Sequence, residues 1–419
     1  MILPIVKKQV DDVSDVTLIK IAGPDQPGIT LSVTTLLAEH AIHVLDIGQA
    51  VIHNNLALGL LVEIPHQVDQ NILFSRVSEQ LEALGMSIEL SSVDANAYDA
   101  WTKEQGKPRH IVTLLVRKVK AEHISAVTAL VTQYGLNIDK ITRLSGRVPL
   151  EKETEQSKAC VEFSLRGDLD DAQIVRRSLL ELATTLNIDI AYQEDDMFRR
   201  NRRLVVFDMD STLIEAEVID ELAKVAGVGD QVSAITESAM RGEIDFNESF
   251  ERRVALLKGL DETALALVAG QLKMTEGAET LMVTLKRLGY KTAILSGGFK
   301  YFGNKLRDKL GFDYVYANEL DIEEGVVTGK VTGQIVDGNR KAELLKDIAR
   351  RENIALEQVI AVGDGANDLP MLSIAGLGIA FRAKPLVKAS ARQSISNLGL
   401  DSILYLLGIT DRERLAAKD

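Results

Sequence analysis

The chain has 419 residues and a formal net charge of −13 at pH 7, with 46% hydrophobic and 26% charged residues. This length predicts about two to four domains, and the composition is typical of an ordinary globular protein. The negative charge argues against nucleic acid or an anionic membrane as a partner. Because no apolar segment reaches the ~18 residues that a bilayer requires, we expect no membrane span.

Histidine and cysteine are distributed unevenly along the chain. All six histidines lie between residues 40 and 123, and Cys160 is the one cysteine. The carboxyl-terminal half therefore cannot be a histidine or cysteine phosphatase, a Ser-His-Asp hydrolase or a histidine-ligated zinc site. Residues 1–6 lack the basic start and apolar core of a signal peptide. With no intrachain disulfide possible, we expect a cytoplasmic location.

The first part of the chain predicts two copies of one supersecondary unit. Alternation and turn residues predict a strand from residue 16, a helix from 29, strands near 41–52 and 55–64, a helix near 70–85 and a strand near 87–92. The same order recurs as a strand at 110–116, a helix at 122–134, strands near 137–145 and 158–165, a helix at 171–186 and a strand at 187–193. This order, βαββαβ, is ferredoxin-like. We place the copies at residues 14–96 and 107–196.

Both copies resemble ACT domains. The resemblance rests on the Gly-x-Asp-x-Pro-Gly turn that contains Gly23, Asp25 and Gly28, which the second copy lacks at residues 117–123. It implies that the first copy binds an amino acid effector at this turn, with serine as the expected end product, and that the modules form a homo-oligomer, dimer or larger, through their sheets. A purely structural role is the alternative, in which Asp25 is only a helix cap. The basic run at 199–203 is interpreted as a solvated linker.

Two carboxylates follow a short apolar run at residues 204–207. Such a run predicts a central strand of a parallel sheet, buried on both faces. Asp208 and Asp210 then stand at its carboxyl end, where open α/β sheets place their chemistry. Two neighbouring acids repel one another, which favours a divalent cation between them.

Three further segments repeat or complement this design. Asp364 and Asp368 follow a second apolar run, with glycines on both sides of Asp364. Ser296 and Gly297 follow a third run and offer a hydroxyl and bare amides to phosphate oxygens. Lys341 opens a predicted helix between them.

These four segments, in this order, resemble the motifs of the haloacid dehalogenase superfamily. The resemblance implies a doubly wound, Rossmann-like parallel sheet over residues 203–411, with a small helical cap inserted at about 215–275. It implies that Asp208 is the nucleophile, that Asp210 is the general acid and base, and that Ser296 and Lys341 complete the catalytic set. The implied cofactor is Mg²⁺, bound by Asp208, Asp364 and the Asp210 carbonyl, with Asp368 in support.

The inserted segment resembles the phosphoserine phosphatases within this superfamily. The residues that carry the resemblance are Glu217, Met240, Phe246 and Arg253. It implies that O-phosphoserine binds with its ammonium on Glu217 and its carboxylate on Arg253, and that the reaction is the last step of serine biosynthesis. Ser296, Gly297 and Lys341 would hold the phosphate, with Asn367 in the binding set as a residue that orients the lysine. Met240 and Phe246 would contact the substrate, or else line the core of the cap.

Three alternatives remain open. Transport ATPases share the aspartyl-phosphate chemistry, but they carry Thr where this chain has Asp210. A second alternative is an amino acid sensor with a vestigial phosphatase module. The third is a related phosphatase or phosphotransferase for another phosphorylated small molecule, such as phosphohomoserine.

Overall fold

The computed structural model describes residues 15–149, 151 and 157–416. Residues 1–14 lie outside this description. They include the segment that we predicted not to be a signal peptide and the start of the first predicted module. The chain divides into two compact units, residues 1–107 and 108–419.

The first unit contains one ferredoxin-like domain and a following helix. Its elements are β1 (Asp15–Pro24), α1 (Ile29–Glu39), β2 (His43–Ile52), β3 (Asn55–Ile64), α2 (Gln70–Glu82), β4 (Ser87–Val93) and α3 (Ala95–Gln105). The four strands form an antiparallel sheet in the order β2-β3-β1-β4. Alternate residues such as Ile19 and Leu60 form the core with Val33 and Val77 from the helices. The predicted βαββαβ order is confirmed, whereas α3, which buries no side chain, was not predicted.

The second unit begins with the second ferredoxin-like domain. Its elements are β5 (Arg109–Val116), α4 (Ala121–Gln133), β6 (Asn137–Arg143), β7 (Ala159–Arg166), α5 (Ala172–Leu186) and β8 (Asp189–Glu194). The sheet order β6-β7-β5-β8 repeats that of the first domain. Phe163 and Leu114 of the sheet pack against Val127 and Leu179 of the helices. The predicted repeat is therefore confirmed.

The remainder of the second unit is an α/β domain. Its helices and strands, in chain order, are β9 (Leu204–Phe207), α6 (Val218–Val225), α7 (Gly229–Met240), α8 (Phe246–Ala255), α9 (Thr263–Gln271), α10 (Ala278–Arg287), β10 (Lys291–Phe299), α11 (Lys300–Leu310), β11 (Tyr314–Glu323), β12 (Val326–Thr332), α12 (Gly338–Arg351), β13 (Val359–Gly363), α13 (Leu369–Ile374), β14 (Leu377–Phe381), α14 (Pro385–Ser390), β15 (Gln393–Ile395), α15 (Ile403–Leu406) and α16 (Asp411–Ala416).

A seven-stranded sheet forms the centre of this domain. Its order is β12-β11-β10-β9-β13-β14-β15, and every neighbouring pair is parallel except β11 and β12. Side chains on both faces of β9 are buried, with Phe207 in one core and Val206 in the other. This confirms the doubly wound parallel sheet. In the described part of the chain, no helix has the length and apolarity needed to cross a membrane.

Helices α6 to α9 form the predicted cap. Its two connections to the sheet run side by side: the amide of Glu215 donates to the Lys273 carbonyl at 2.9 Å, and the amide of Thr275 donates to the Leu213 carbonyl at 3.0 Å. On another side, the amide of Gly259 donates to the Val327 carbonyl of β12 at 2.8 Å. The cap is therefore held both at its base and by the β11–β12 hairpin.

The second ferredoxin-like domain and the α/β domain share a buried joint. Leu115, Cys160 and Ala191 belong to the same apolar core as Tyr405 and Leu406. Next to this core, the amide of Tyr192 donates to Oε1 of Gln393 at 2.9 Å. Burial in this joint raises the pKa of the Cys160 thiol, so the one cysteine is an unreactive core residue.

The prediction of a solvated linker at residues 199–203 is wrong for two of its arginines. Arg199 is completely buried and pairs with Glu162, and its amide donates to the carboxylate of Asp196 at 2.8 Å. Arg202 is also buried, with its guanidinium on the carbonyl of Glu357. These two arginines are packed against partners that lie far away in the chain, which the local sequence did not indicate.

Candidate active site

Three neighbouring strands bring the predicted site residues to one edge of the sheet. β9 lies between β10 and β13 and runs parallel to both. Asp208 directly follows β9 and Asp364 directly follows β13, while Ser296 lies near the end of β10. Because parallel strands end on the same side, residues 68 or more positions apart in the chain share one cleft.

Asp208 is buried and held on one of its oxygens. Its Oδ1 accepts a hydrogen bond from its neighbour's amide, Met209 N, at 2.7 Å, and contacts Nζ of Lys341 at 3.0 Å. The amide of Asp208 donates to the Val362 carbonyl of β13 at 2.8 Å. Among the described residues none donates to Oδ2, so this oxygen is the one available to react.

Lys341 is completely buried between two carboxylates. Its ammonium donates to Oδ1 of Asp368 at 2.7 Å and also contacts Asp208. Burial alone would lower the pKa of Lys341, but the Asp208 and Asp368 carboxylates raise it above its ordinary value. The lysine therefore remains a fixed positive charge. The other oxygen of Asp368 accepts from the amide of Gly365 at 3.0 Å.

The site contains a set of oxygen ligands suited to a divalent cation. Carboxylate oxygens of Asp208, Asp364 and Asp368 all lie within 4.8 Å of one another. Burial, then the neighbouring carboxylates of Asp208 and Asp368, raise the pKa of Asp364 to about 8. Thr212 donates to Oδ1 of Asp364 at 3.3 Å. One lysine does not balance three acids, and a hard cation with oxygen ligands would relieve the repulsion.

Asp210 faces the same cleft from the turn after β9. It is buried, and its Oδ1 accepts from the amide of Val218 at the start of the cap, at 3.1 Å. Burial, Glu217 and Asp208 together raise the pKa of Asp210 well above its ordinary value. A methyl group at Gly298 would lie 2.3 Å from Oδ2 of Asp210, so only glycine allows the β10 loop to approach this carboxyl group.

The β10 loop is shaped for close approach of an anion. Ser296 is buried, and its hydroxyl accepts from the amide of Gly298 at 2.9 Å. Asn318 donates to the Gly297 carbonyl at 2.8 Å and accepts from the amide of Val336 at 2.9 Å. These bonds fix the loop from outside, and a hydroxyl beside bare backbone of this kind can accommodate an anion.

The cap contributes one carboxylate, that of Glu217, and one guanidinium, that of Arg253, to the cleft. Glu217 accepts a hydrogen bond from Ser211 at 2.7 Å, and Ser211 has a φ of 53°, a strained value for a residue other than glycine. The Glu217 side chain reaches solvent at one end, but loss of water around its carboxylate raises the pKa of Glu217. The hydrogen bond from Ser211 lowers this pKa by less. Burial lowers the pKa of Arg253, which lies in the field of Asp220, Glu217 and Asp210.

The remaining cap predictions have different outcomes. Phe246 stacks on Phe250 with a centroid distance of 6.2 Å, and its Cζ would lie 3.0 Å from a methyl group at Gly297. The ring of Phe246 therefore covers the β10 loop. Met240 is the last residue of α7, and its side chain lies outside the described part of the structure.

Asn367 lies in the short turn between Gly365 and Asp368. Its Oδ1 would contact a methyl group at Gly365 at 2.2 Å, so its side chain folds over the loop that follows β13. In this turn, the residue that accepts the hydrogen bond from Lys341 is Asp368. Asn367 therefore lies at the site, next to the residue that orients the lysine.

The turn predicted to bind an effector lies in the first unit, before α1. Gly28 is the N-cap of α1 with a φ of 98°, and no side chain caps this helix, so Asp25 is not its cap. A methyl group at Gly23 would lie 2.7 Å from Sδ of Met86. The amide of Asp25 donates to the Asn54 carbonyl at 2.8 Å, while its side chain is exposed.

Sequence reasoning missed three residues that organise the site. Thr212 binds Asp364, Asp220 acts on Arg253, and Asn318 holds the β10 loop. Thr212 lies within the first motif and could have been singled out there. Asn318 lies in β11, and nothing in its neighbourhood along the chain indicates its contact with a loop about 20 residues earlier.

Comparison with protein families agrees with this geometry. Residues 202–376 match the haloacid dehalogenase-like hydrolase family, and residues 15–91 and 108–193 each match ACT domains. Solved structures with the same fold include a haloacid dehalogenase family hydrolase of Salmonella enterica, with a TM-score of 0.61 and 32% identity, which covers 71% of this chain and 98% of that one. An unliganded probable phosphoserine phosphatase of Vibrio cholerae has a TM-score of 0.57 and 30% identity. The match covers 75% of this chain and 90% of that one.

Two relatives align with nearly the whole chain. A phosphoserine phosphatase of Streptomyces coelicolor is 42% identical over 403 residues, which is 96% of this chain and 94% of that one. One of Mycobacterium tuberculosis is 41% identical over 96% of this chain and 95% of that one. With its haloacid dehalogenase-like hydrolase domain, its two ACT domains and this identity over nearly the full length, the chain belongs to the phosphoserine phosphatase family.

Proposed function

We propose that this enzyme hydrolyses O-phospho-L-serine to L-serine and inorganic phosphate, as the last step of serine biosynthesis. The observation that carries this proposal is the pairing of two features across one cleft. Asp208, Lys341 and the β10 loop form a phosphate-sized anion site, and Glu217 and Arg253 of the cap face it with one negative and one positive charge. Phosphoserine carries the complementary ammonium and carboxylate.

We infer that the divalent cation is Mg²⁺, held by Asp208, Asp364 and the main-chain carbonyl of Asp210, with Asp368 in support. The oxygen-only set of ligands supports this choice over metals that prefer nitrogen or sulfur. When bound, Mg²⁺ would neutralise charge on the phosphoryl oxygens. Asp368 serves Lys341 and the Gly365 amide, which supports a role for it outside the direct ligands.

In the first chemical step, Asp208 attacks phosphorus through a carboxylate oxygen. The bond between phosphorus and the serine oxygen breaks as an aspartyl-phosphate forms. Asp210 donates its proton to the departing serine oxygen, and its raised pKa supports its being protonated at this stage. Lys341 and Ser296 stabilise the negative charge that develops on the phosphoryl oxygens.

In the second step, water attacks the same phosphorus atom. Asp210, now ionised, removes a proton from this water, and the bond between phosphorus and Asp208 breaks to release inorganic phosphate. Phe246 covers the β10 loop, and a closed cap would keep other water away from the intermediate.

The substrate's amino acid portion would bind between Glu217 and Arg253. Glu217 takes the ammonium, and Arg253 binds the carboxylate with two hydrogen bonds. Among the residues that the structure describes, Arg253 forms one hydrogen bond, from Nε to the Ser249 carbonyl of its own helix, at 3.3 Å. A carboxylate ligand would give this partly buried guanidinium a charged partner. Met240 and Asn367 complete the proposed binding set.

We further propose that the ACT domains bind an amino acid effector such as serine at Gly23, Asp25 and Gly28, and that the chain forms a homo-oligomer in the cytoplasm. The open space at Gly28 and the absence of a side-chain cap at the start of α1 support the effector site. The proposed domain limits are residues 14–96, 107–196 and 203–411, with the cap at about 215–275, and the three family matches support them.

A substrate panel tests the proposed function. Initial rates of phosphate release would be compared for O-phosphoserine, O-phosphothreonine, phosphohomoserine and a sugar phosphate, each with added Mg²⁺ and after metal removal. We expect the highest kcat/KM for O-phosphoserine and activity only with metal. A higher kcat/KM for phosphohomoserine or a sugar phosphate would assign a different substrate, and calorimetry of the full chain with serine tests the effector separately.

A further inference from the structure

A second cleft lies away from the active site, between the second ACT domain and the α/β domain. It has a volume of about 960 Å³, which is within the range of pockets that bind small molecules. One wall is helix α5 of the ACT domain, and the other is formed by α13, α14 and β15. Beside the cleft, Gln393 and Tyr192 exchange hydrogen bonds between their side chain and backbone groups.

Four cationic side chains line this cleft, in a protein whose net charge is −13. Arg176 and Arg177 project from α5, and Lys388 and Arg392 face them from the α/β domain. Arg177, Lys388 and Arg392 form no ion pair with any residue that the structure describes. Burial and the nearby charge of Arg392 lower the pKa of Arg176. Lys388 acts on the nearby Asp189 through its charge, but the cleft still brings four like charges together.

Arg176 is the most constrained of the four. Its guanidinium lies 5.6 Å from the centroid of the Tyr192 ring, and its Nη1 donates to Gln173 at 3.0 Å. Its Nε is buried and has no hydrogen-bond partner among the described atoms. A buried donor without a partner costs free energy, and a negative charge in the cleft would stabilise this guanidinium.

The acids at the cleft do not satisfy these cations. Asp189 is buried, and its two oxygens accept from the amides of Ser396 and Asn397, both at 2.8 Å. Glu181 also lines the cleft and is exposed to solvent. Glu194 acts on Arg176 only through its charge. Two of the lining residues are acidic and four are basic, so the local balance favours an anion.

We propose that this cleft binds a small polyanion, a molecule with two or more phosphate or carboxylate groups, held between the arginines of α5 and the cations of the α/β domain. The two walls belong to different domains, so one ligand would bridge them. Helix α13, which contributes Leu369, Leu372 and Ser373 to the cleft, begins directly after Asp368 of the active site.

Calorimetric titration of the full-length, metal-stripped protein in chelator-free buffer tests this proposal. The probes are inorganic pyrophosphate and, separately, citrate, and the tighter of the two identifies phosphate or carboxylate as the preferred group. The variant is Arg176→Gln/Arg392→Gln. The matched control is Arg287→Gln, which changes an exposed arginine of α10 outside the cleft.

We expect the wild type and Arg287→Gln to bind at least one probe equally well, and the double variant to bind it at least tenfold more weakly. A second pair, Arg177→Gln/Lys388→Gln, removes the other two cations of the cleft and should show the same loss if the first variant fails to fold. Equal binding by wild type and cleft variants, or no binding of either probe by the wild type, would overturn the proposal.

Discussion

Arg117 of the second ACT domain donates two hydrogen bonds to Glu276 of the α/β domain, at 3.1 and 2.9 Å. Arg117 lies in the segment that corresponds to the glycine-rich turn of the first ACT domain. Glu276 also accepts from Arg382 at 3.4 Å, and Arg382 reaches Glu215 at the base of the cap at 3.3 Å. The segment that contains Arg117 therefore connects the second ACT domain to the α/β domain.

The Arg117–Glu276 pair should stabilise the fold in a pH-dependent way. The Arg117 hydrogen bonds lower the pKa of Glu276 to about 2. Because the pKa is lower in the folded state, the stabilisation is complete above the unfolded value of about 4.3 and declines as the pH falls towards 2. A double-mutant cycle of Arg117→Gln and Glu276→Gln should give a coupling of about 1 kcal/mol near neutral pH, since both side chains are partly exposed.

Urea unfolding of the four proteins of this cycle measures the coupling. It should be largest near neutral pH and smaller at about pH 3. The exposed pair Arg350–Asp347 is a matched control, with little coupling expected. A coupling that grows as the pH falls would contradict the assignment.

Substrate selection by Arg253 can be separated from its structural role. Arg253→Ala should lower kcat/KM for phosphoserine by a factor that corresponds to about 2–3 kcal/mol, because a charged hydrogen-bond pair is lost. Turnover of phosphoethanolamine, which has no carboxylate, should change little. Arg252→Ala is the control, since Arg252 is exposed and pairs with Glu248. Equal losses on both substrates would assign Arg253 a structural role only.

The role of Asp210 as general acid depends on the leaving group. Asp210→Asn should reduce kcat for phosphoserine by about 10²–10⁴-fold, because the serine oxygen leaves poorly without a proton. p-Nitrophenol is a far better leaving group, so formation of the intermediate from p-nitrophenyl phosphate should be affected much less. Rapid-quench measurement of the first turnover distinguishes the two. The same loss for both substrates would show that Asp210 does not protonate the leaving group.

Metal removal should expose the repulsion among the active-site acids. Without metal at pH 8, Asp364→Asn should be more stable to urea than the wild type, because one of three crowded carboxylates is removed. With saturating Mg²⁺ the order should reverse, since only the wild type retains the full set of ligands. Asp347→Asn, on the exposed face of α12, is the control and should respond equally to metal. A less stable metal-free Asp364→Asn protein would contradict this account.

The sequence was sufficient for features that depend on local pattern. The apolar runs that end at Asp208 and Asp364 predicted two buried parallel strands, and the structure places them side by side. The two βαββαβ repeats were also predictable, because each strand and helix has its own periodicity and turn residues. Proximity of Asp208, Ser296 and Asp364 followed from the fold class, since parallel strands end at one edge.

Contacts between domains could not be predicted in this way. The burial of Arg199 depends on Glu162, and the binding of Glu276 depends on Arg117, in each case a residue distant in the chain. An arginine run is normally solvated, and only the packed joint between the second ACT domain and the α/β domain changes that environment. The orientation of Arg253, rather than Arg252, towards the cleft likewise depends on how the cap packs.

We expect Asp208 to carry the phosphoryl group during turnover. Acid quench of the enzyme with phosphoserine and Mg²⁺, followed by borohydride reduction, would convert an aspartyl-phosphate to homoserine that mass spectrometry can locate. Homoserine should appear at position 208 in the wild type, and Asp208→Asn should release no phosphate. An unmodified Asp208, together with phosphate release by Asp208→Asn at the wild-type rate, would contradict it.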